Sequence, residues 1–264
     1  MIGVTELPFL PPDAPCHDGN VDRPKITEPS WLALHDDKPI RLGVSSCLLG
    51  AKVRYDGGHK RNQYVTDVLG EWFEWVLVCP EFDIGLGVPR PTIQLESSDP
   101  EPQLIEPISG EVLTERMESY ARDKVDQLRK AGLDGFILKE ASPSCGVEGV
   151  RVFGQHEWPE QNGTGIFARI LIRLWPGLPV AEEKWFEDPD RRNKFFERVL
   201  QHHRQRTLSH RDLGPHQLAE LRSAHELLLA RISHQPSVAP SASDRSDFET
   251  AKTQSTRSPT RRKT

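Results

Sequence analysis

The sequence predicts an α/β fold, a mainly parallel sheet flanked by helices, followed by a C-terminal helical hairpin and a disordered tail. Three observations carry this. Short, mostly apolar runs alternate with stretches of helical periodicity, the pattern of strands buried on both faces and joined by crossover helices. Three of these runs, Arg41-Leu-Gly-Val44, Trp75-Val-Leu-Val78 and Phe136-Ile-Leu-Lys139, each lead to a cysteine with Gly or Pro soon after. Cys47 and Cys79 stand 32 residues apart, which matches a strand, crossover helix and parallel strand of about 30 residues. Right-handed crossovers of this kind set the two strands parallel in one sheet.

Composition narrows the class. A chain of 264 residues holds one large domain or two smaller ones. The net charge of −5 argues against whole-protein attraction for nucleic acid. No apolar run reaches the roughly 18 residues of a membrane span, and Met1 to Leu10 lacks the basic flank and apolar stretch of a secretory signal. A soluble, cytoplasmic protein is expected, in which cysteines persist as thiols or metal ligands. The cysteines are Cys16, Cys47, Cys79 and Cys145, and none forms a Cys-x-x-Cys pair. That argues against thioredoxin-type chemistry and zinc ribbons.

Residues 1–38 are rich in Pro and Asp and predict a disordered extension; its Cys16-His17 either ligates a metal or, as is more common for a lone pair in such an arm, is incidental. The α/β domain spans 39–183. After Cys47, the Gly-rich and charged stretch Leu48 to Lys60 predicts an irregular loop. Tyr64 to Trp75 predicts a helix, with Val65, Val68, Leu69, Trp72 and Phe73 at helical spacing. Phe82 to Leu113, punctuated by Gly and Pro, predicts a long functional or disordered connection. Its Gly85-Leu-Gly87-Val-Pro89-Arg90-Pro91 portion either walls a site beside Cys79 or is a stiff proline-bounded turn. Met117 to Ala131 is an amphipathic helix capped by Gly132. Val150-Arg-Val-Phe153 predicts a further strand, Gly165 to Leu174 a helix, and Leu178-Pro-Val180 a last short strand.

Residues 184–234 change character. Asp188-Pro189 starts a helix with Phe195, Phe196, Val199 and Leu200 on one face, against Arg191, Arg192, Lys194, Arg198, His202, His203 and Arg204. His216 to Ile232 forms its partner. Such a pair docks on the α/β domain or opens a larger helical domain. Its basic side chains either meet phosphates or form a solvated face. Residues 235–264, rich in Ser, Thr, Pro and charge, predict a disordered tail.

In open parallel sheets the ligand site lies beyond the carboxyl ends of the strands, so thiols delivered there converge. The residues alone leave several uses open. Separate buried thiols are one, and thiol catalysis is another. A zinc site would need a fourth ligand, conceivably His59. An iron–sulfur cluster held by only three thiolates would keep one iron open as a Lewis acid.

Further motifs bear on the choice. Val44-Ser-Ser-Cys-Leu-Leu-Gly50 with Val53-Arg-Tyr-Asp-Gly57, Val78-Cys-Pro-Glu81 with Gly87-Val-Pro-Arg-Pro91, and Leu138-Lys-Glu-Ala-Ser-Pro-Ser-Cys-Gly146 follow one another in that order. Together with Gly165-Ile-Phe-Ala-Arg169 and Pro176-Gly-Leu-Pro-Val180 they resemble the thiouracil desulfidase (TudS) family over roughly residues 39–183. The resemblance implies a [4Fe-4S] cluster held by Cys47, Cys79 and Cys145. It also implies an activity that removes sulfur from thiolated pyrimidines, giving the oxo base and sulfide. The hairpin resembles the opening of a helical domain often fused to this one and linked to desulfurising 4-thiouridine in RNA. The candidate partners are therefore a small thiopyrimidine or thiolated tRNA, with no membrane.

On that reading Glu81 is the candidate general base for the attacking water, with Asp56 second. Ser142 and Ser144, flanking Pro143, are candidates to hydrogen-bond the ring, and Arg54 or Lys139 to neutralise charge on the bound sulfide. Two alternatives from other classes are a zinc-binding or RNA-interaction module and a sulfurtransferase carrying persulfide. The oligomeric state is not written in the sequence.

Overall fold

The computed structural model describes residues 39–154, 158–210 and 213–234. The N-terminal extension with Cys16 and the tail from Gln235 lie outside the described residues. In chain order the elements are β1 (Arg41–Ser45), β2 (Glu74–Val78), α1 (Pro80–Asp83), β3 (Gln94–Glu96), β4 (Gln103–Glu106), β5 (Glu111–Val112) and α2 (Thr114–Ala131). Then come β6 (Gly135–Leu138), β7 (Val150–Phe153), β8 (Glu160–Gly163), α3 (Ile166–Leu174), β9 (Val180–Glu182), α4 (Pro189–His210) and α5 (Pro215–His234).

β1, β2, β6 and β9 form a wholly parallel sheet in the order β2-β1-β6-β9. In register, Leu42 on β1 lies between Trp75 on β2 and Gly135 on β6. Alternate residues point to opposite faces of a strand, and here both faces are apolar. Leu42, Val44, Ile137 and Ala181 belong to one core, Phe136 and Leu138 to the other. Met117, Ala121, Val125 and Leu128 of α2, with Phe167, Ile170 and Leu171 of α3, pack with Phe136. On the opposite face Val65, Leu69, Phe195, Phe196, Val199 and Leu228 pack with Leu42. Gly43 makes one close approach possible: a Cβ there would lie 2.3 Å from the Phe136 ring.

The hairpin thus docks on the α/β layers, the first of the two outcomes open to it. Phe196 of α4 is fully buried and stacks on Phe73, with ring centroids 5.6 Å apart. Arg206 reaches down to buried Asp134, donating from Nε and Nη2 at 2.8 Å each. The basic residues do not form one solvated stripe. Arg191, Lys194 and Arg198 are exposed, whereas Arg192 and His203 are buried. Arg192 is accommodated because it donates to the carbonyl of Ser233 at 3.1 Å and lies over the Tyr64 ring.

Four expectations are corrected. Tyr64 to Trp75 is not one α-helix. It is a π-turn over Tyr64–Val68 and a 3₁₀ turn over Leu69–Glu71, and Trp75 already lies in β2. Val65, Thr66 and Val68 are β-branched and Gly70 is costly inside a helix, so the segment has weak α propensity. Phe82 to Leu113 is also no plain connection. It holds the end of α1 and three short strands of a second sheet, ordered β5-β4-β3-β7-β8. Val150–Phe153 belongs to that sheet, pairing in parallel with β3 through Leu95 and Val152, and not to the main one. The last strand begins at Val180, two residues later than expected. Pro179 precedes it, contributing its carbonyl to the Phe136 N–H at 2.9 Å.

Candidate active site

Three neighbouring strands of the parallel sheet, β2, β1 and β6, end toward the cysteines. Cys47 sits in a single 3₁₀ turn, Ser46–Leu49, closed by Gly50 in the left-handed conformation. Cys79 follows β2 directly and heads the one-turn helix α1, with Pro80 in its first position. Cys145 comes in the turn after β6, where Ala141 adopts φ 53°. Ser142 Oγ accepts the N–H groups of Ser144 at 3.2 Å and Cys145 at 3.1 Å. The start of α3 secures this turn from below: Gly165, Ile166 and Ala168 donate their N–H groups to the carbonyls of Gly146, Pro143 and Ser144.

Each of the three thiols is shifted by its surroundings, and Cys47 and Cys145 also by other thiols. Burial pushes Cys47 up to about 12, opposed by Lys139 and Arg54 and reinforced by Glu183 and Cys79. Burial likewise raises Cys79 to about 11, opposed by the Phe82 N–H and Arg90 and reinforced by Glu81. Cys145 is raised well above an ordinary thiol, first by burial and then by Glu81, Cys79 and Cys47, while Ser45 opposes the rise. All three are neutral thiols at pH 7 unless a cationic centre draws off their protons. Among the described residues no three His, Cys, Asp or Glu side chains have the spacing to hold a metal ion directly. His59 is exposed and its Nδ1 accepts the Arg61 N–H at 3.2 Å. Neither His59 nor the three cysteines therefore offer a ready-made single-ion site among the described residues.

Glu81 joins two of the cysteine segments. Its Oε1 accepts the hydroxyl of fully buried Ser144 at 3.1 Å. Its Oε2 accepts two bonds from Arg90, from Nη2 at 2.6 Å and Nε at 3.2 Å. Lys139 pairs with buried Glu183, whose other oxygen accepts the Glu140 N–H at 2.8 Å. Lys139 is also near enough to Cys47 to bias it, as is Arg54. Asp56 stands apart: its carboxylate accepts the Gly58 N–H at 2.9 Å and pairs with Arg54 at 3.5 Å, closing its own loop. Burial works against it, but that N–H and Arg54 hold its carboxyl below the usual range.

Several residues here carry no sequence signal for the part they play. Glu183 lies 44 positions from Lys139 and Arg90 lies 37 from Val53, whose carbonyl it binds at 2.9 Å. Ser45 Oγ accepts the Lys139 N–H at 3.0 Å across 94 positions. Tyr120 of α2 donates to Asp83 and lies near Cys145 and Cys79, which with burial and Asp83 raise its hydroxyl pKa far above normal. Only Arg90 stands in a motif distinctive enough to single out, and that motif does not say which acid it meets.

The fold is that of an α/β protein in which three cysteines follow adjacent strands of a parallel sheet, at the carboxyl edge where open sheets bind ligands. The chain belongs to the 2-thiouracil desulfurase family, whose family model matches residues 42–183. The uncharacterized protein YbbK of Bacillus subtilis (strain 168) is 32% identical over 150 residues, covering 55% of this chain and 97% of the relative. The solved structure of TudS, a [4Fe-4S]-dependent thiouracil desulfidase, shares 32% identity, covering 55% of this chain and 91% of that one, with a TM-score of 0.46. No helix among the described residues is long and apolar enough to cross a membrane.

Proposed function

We propose that this protein is a [4Fe-4S]-dependent desulfidase that removes sulfur from thiolated pyrimidines. Membership of the 2-thiouracil desulfurase family gives the reaction class. The observation that supports the reading most is that Cys47, Cys79 and Cys145 follow the ends of three adjacent strands of one parallel sheet, with Cys79 and Cys47 both raising the Cys145 thiol. The donor set fits a cluster, because it offers thiols alone, on turns closed by Gly and Pro. When bound, a [4Fe-4S] cluster held by three thiolates supplies a Lewis-acidic iron with a vacant position for a thiocarbonyl sulfur.

The remaining chemistry falls to the protein. Water attacks the thiocarbonyl carbon, forming a carbon–oxygen bond as the carbon–sulfur bond breaks. Thiocarbonyl plus water gives carbonyl plus hydrogen sulfide, with no net change of oxidation state. Glu81 accepts a proton from the water at Oε1, beside Ser144. Ser142 has both lone pairs occupied by the N–H groups of Ser144 and Cys145, so its hydroxyl proton is the group it can offer to the ring. Arg54 and Lys139 offset the negative charge on the departing sulfur. Asp56 serves the loop that carries Arg54.

Anaerobically reconstituted protein should destroy the thiocarbonyl absorbance of 2-thiouracil and release sulfide in equal amount. Loss with 4-thiouridine-containing tRNA alone would move the substrate from a free base to RNA. No loss with either, from protein with a full cluster complement, would overturn the proposal. Activity that survives iron chelation but is lost on alkylation would point instead to a persulfide-carrying sulfurtransferase.

A further inference from the structure

We infer that Arg90 is the positioning residue of the reaction: it clamps one oxygen of Glu81 so that only the other faces the chemistry. This rests on the proposed role of Glu81. The Arg90 side chain is 3% exposed, and its guanidinium makes four hydrogen bonds. Nε and Nη2 both donate to Glu81 Oε2, at 3.2 and 2.6 Å, while Nη1 donates to the carbonyls of Val53 at 2.9 Å and Gly87 at 2.8 Å. A carboxylate oxygen has about two acceptor positions. Both positions of Oε2 are therefore filled by Arg90. Among the described residues Oε1 receives the Ser144 hydroxyl alone, at 3.1 Å, which leaves one position for a water.

The anchoring is rigid on both sides. The Arg90 N–H also donates to the Tyr55 carbonyl at 2.9 Å, so backbone and guanidinium together tie 87–90 to the loop that follows Cys47. Val53 is shared, since its carbonyl also lies 3.9 Å from Cys79 Sγ. Arg90 thus refers the position of Glu81 to the segments that bear the thiols. A lysine would keep the charge but not the planar fork, and Glu81 could then rotate. Misplacement of a reacting group by about 1 Å costs on the order of 100-fold in rate.

The test compares Arg90→Lys, Glu81→Gln and the double variant as reconstituted full-length proteins. It measures iron content, equilibrium binding of 2-thiouracil by difference absorbance, and turnover. Arg90→Lys should keep wild-type iron content and bind 2-thiouracil within about threefold, while kcat falls roughly 100-fold. In the Glu81→Gln background the same change should alter kcat less than about threefold, because a residue acting through Glu81 has nothing left to position. Loss of iron from Arg90→Lys would overturn the inference and make Arg90 a staple of the thiol loops. So would weakened binding at unchanged kcat, or a full loss repeated in the Glu81→Gln background. Wild-type protein that carries its cluster and binds 2-thiouracil but never turns it over would instead refute the reading of the reaction.

Discussion

Adding one methyl group at Gly165 should disturb Cys145 without touching any side chain of the site. Gly165 caps the start of α3 and lies directly under the Cys145 turn. A Cβ there would lie 2.5 Å from the Ser144 carbonyl carbon, 2.6 Å from its oxygen and 2.8 Å from the Cys145 nitrogen. All three are backbone atoms, so no rotamer change relieves the clash. Reaching the ordinary contact distance of 3.4 Å requires the peptide before Cys145 to retreat by about 0.9 Å. The backbone at Gly165 is itself compatible with alanine, at φ −59° and ψ 146°, so the whole cost comes from crowding. Overpacking of this kind costs about 1–3 kcal/mol, which lowers Tm by roughly 2–12 °C in a domain of this size. The expected result for Gly165→Ala is that loss together with incomplete iron incorporation, measured by calorimetry and iron analysis on the same preparation. Wild-type Tm and full iron content would refute the claim that α3 fixes the Cys145 turn.

Phe196→Ala should cost about 3–5 kcal/mol, since the ring is fully buried and stacks on Phe73; urea unfolding measures it. A loss under 1 kcal/mol would mean that the hairpin is not seated on the sheet. Asp134 is fully buried and, against the penalty of burial, His202, Arg206 and His203 hold its carboxyl below the usual range. Its contribution is present above the unfolded value near pH 4 and is lost as pH falls through the lower folded value. Asp134→Ala should therefore cost about 3–5 kcal/mol at neutral pH and flatten the acid limb of a Tm-against-pH profile. An unchanged acid limb would show that Asp134 does not supply it.

The parallel sheet was legible because its strands are short, mostly apolar and followed by Gly or Pro; its central strands β1 and β6 are buried on both faces, whereas β2 is a half-exposed edge strand. The cysteines were legible for the same reason: the chain announces where Val44, Val78 and Leu138 give way to polar turns. The second sheet was not. β5 has two residues and β3 three, too few for an alternating pattern, and the prolines around them suggest an irregular connection. Tyr64 to Glu71 has apolar residues at helical spacing, but its β-branched residues and Gly70 turn it into π and 3₁₀ turns. Contacts such as Arg206 with Asp134, 72 positions apart, or Lys139 with Glu183 depend on which elements meet. Glu81 and Ser144 could be singled out by their nearness in sequence to Cys79 and Cys145. Their hydrogen bond to each other, across 63 positions, could not.

The central claim is that three sulfurs share one inorganic centre, and iron and acid-labile sulfide counted in single cysteine variants test it most directly. After anaerobic reconstitution, wild type and Cys16→Ala should carry a full [4Fe-4S] complement, while Cys47→Ala, Cys79→Ala and Cys145→Ala should each lose it together with turnover of 2-thiouracil. A full complement in any one of those last three would show that its sulfur does not belong to the centre, and would contradict the account.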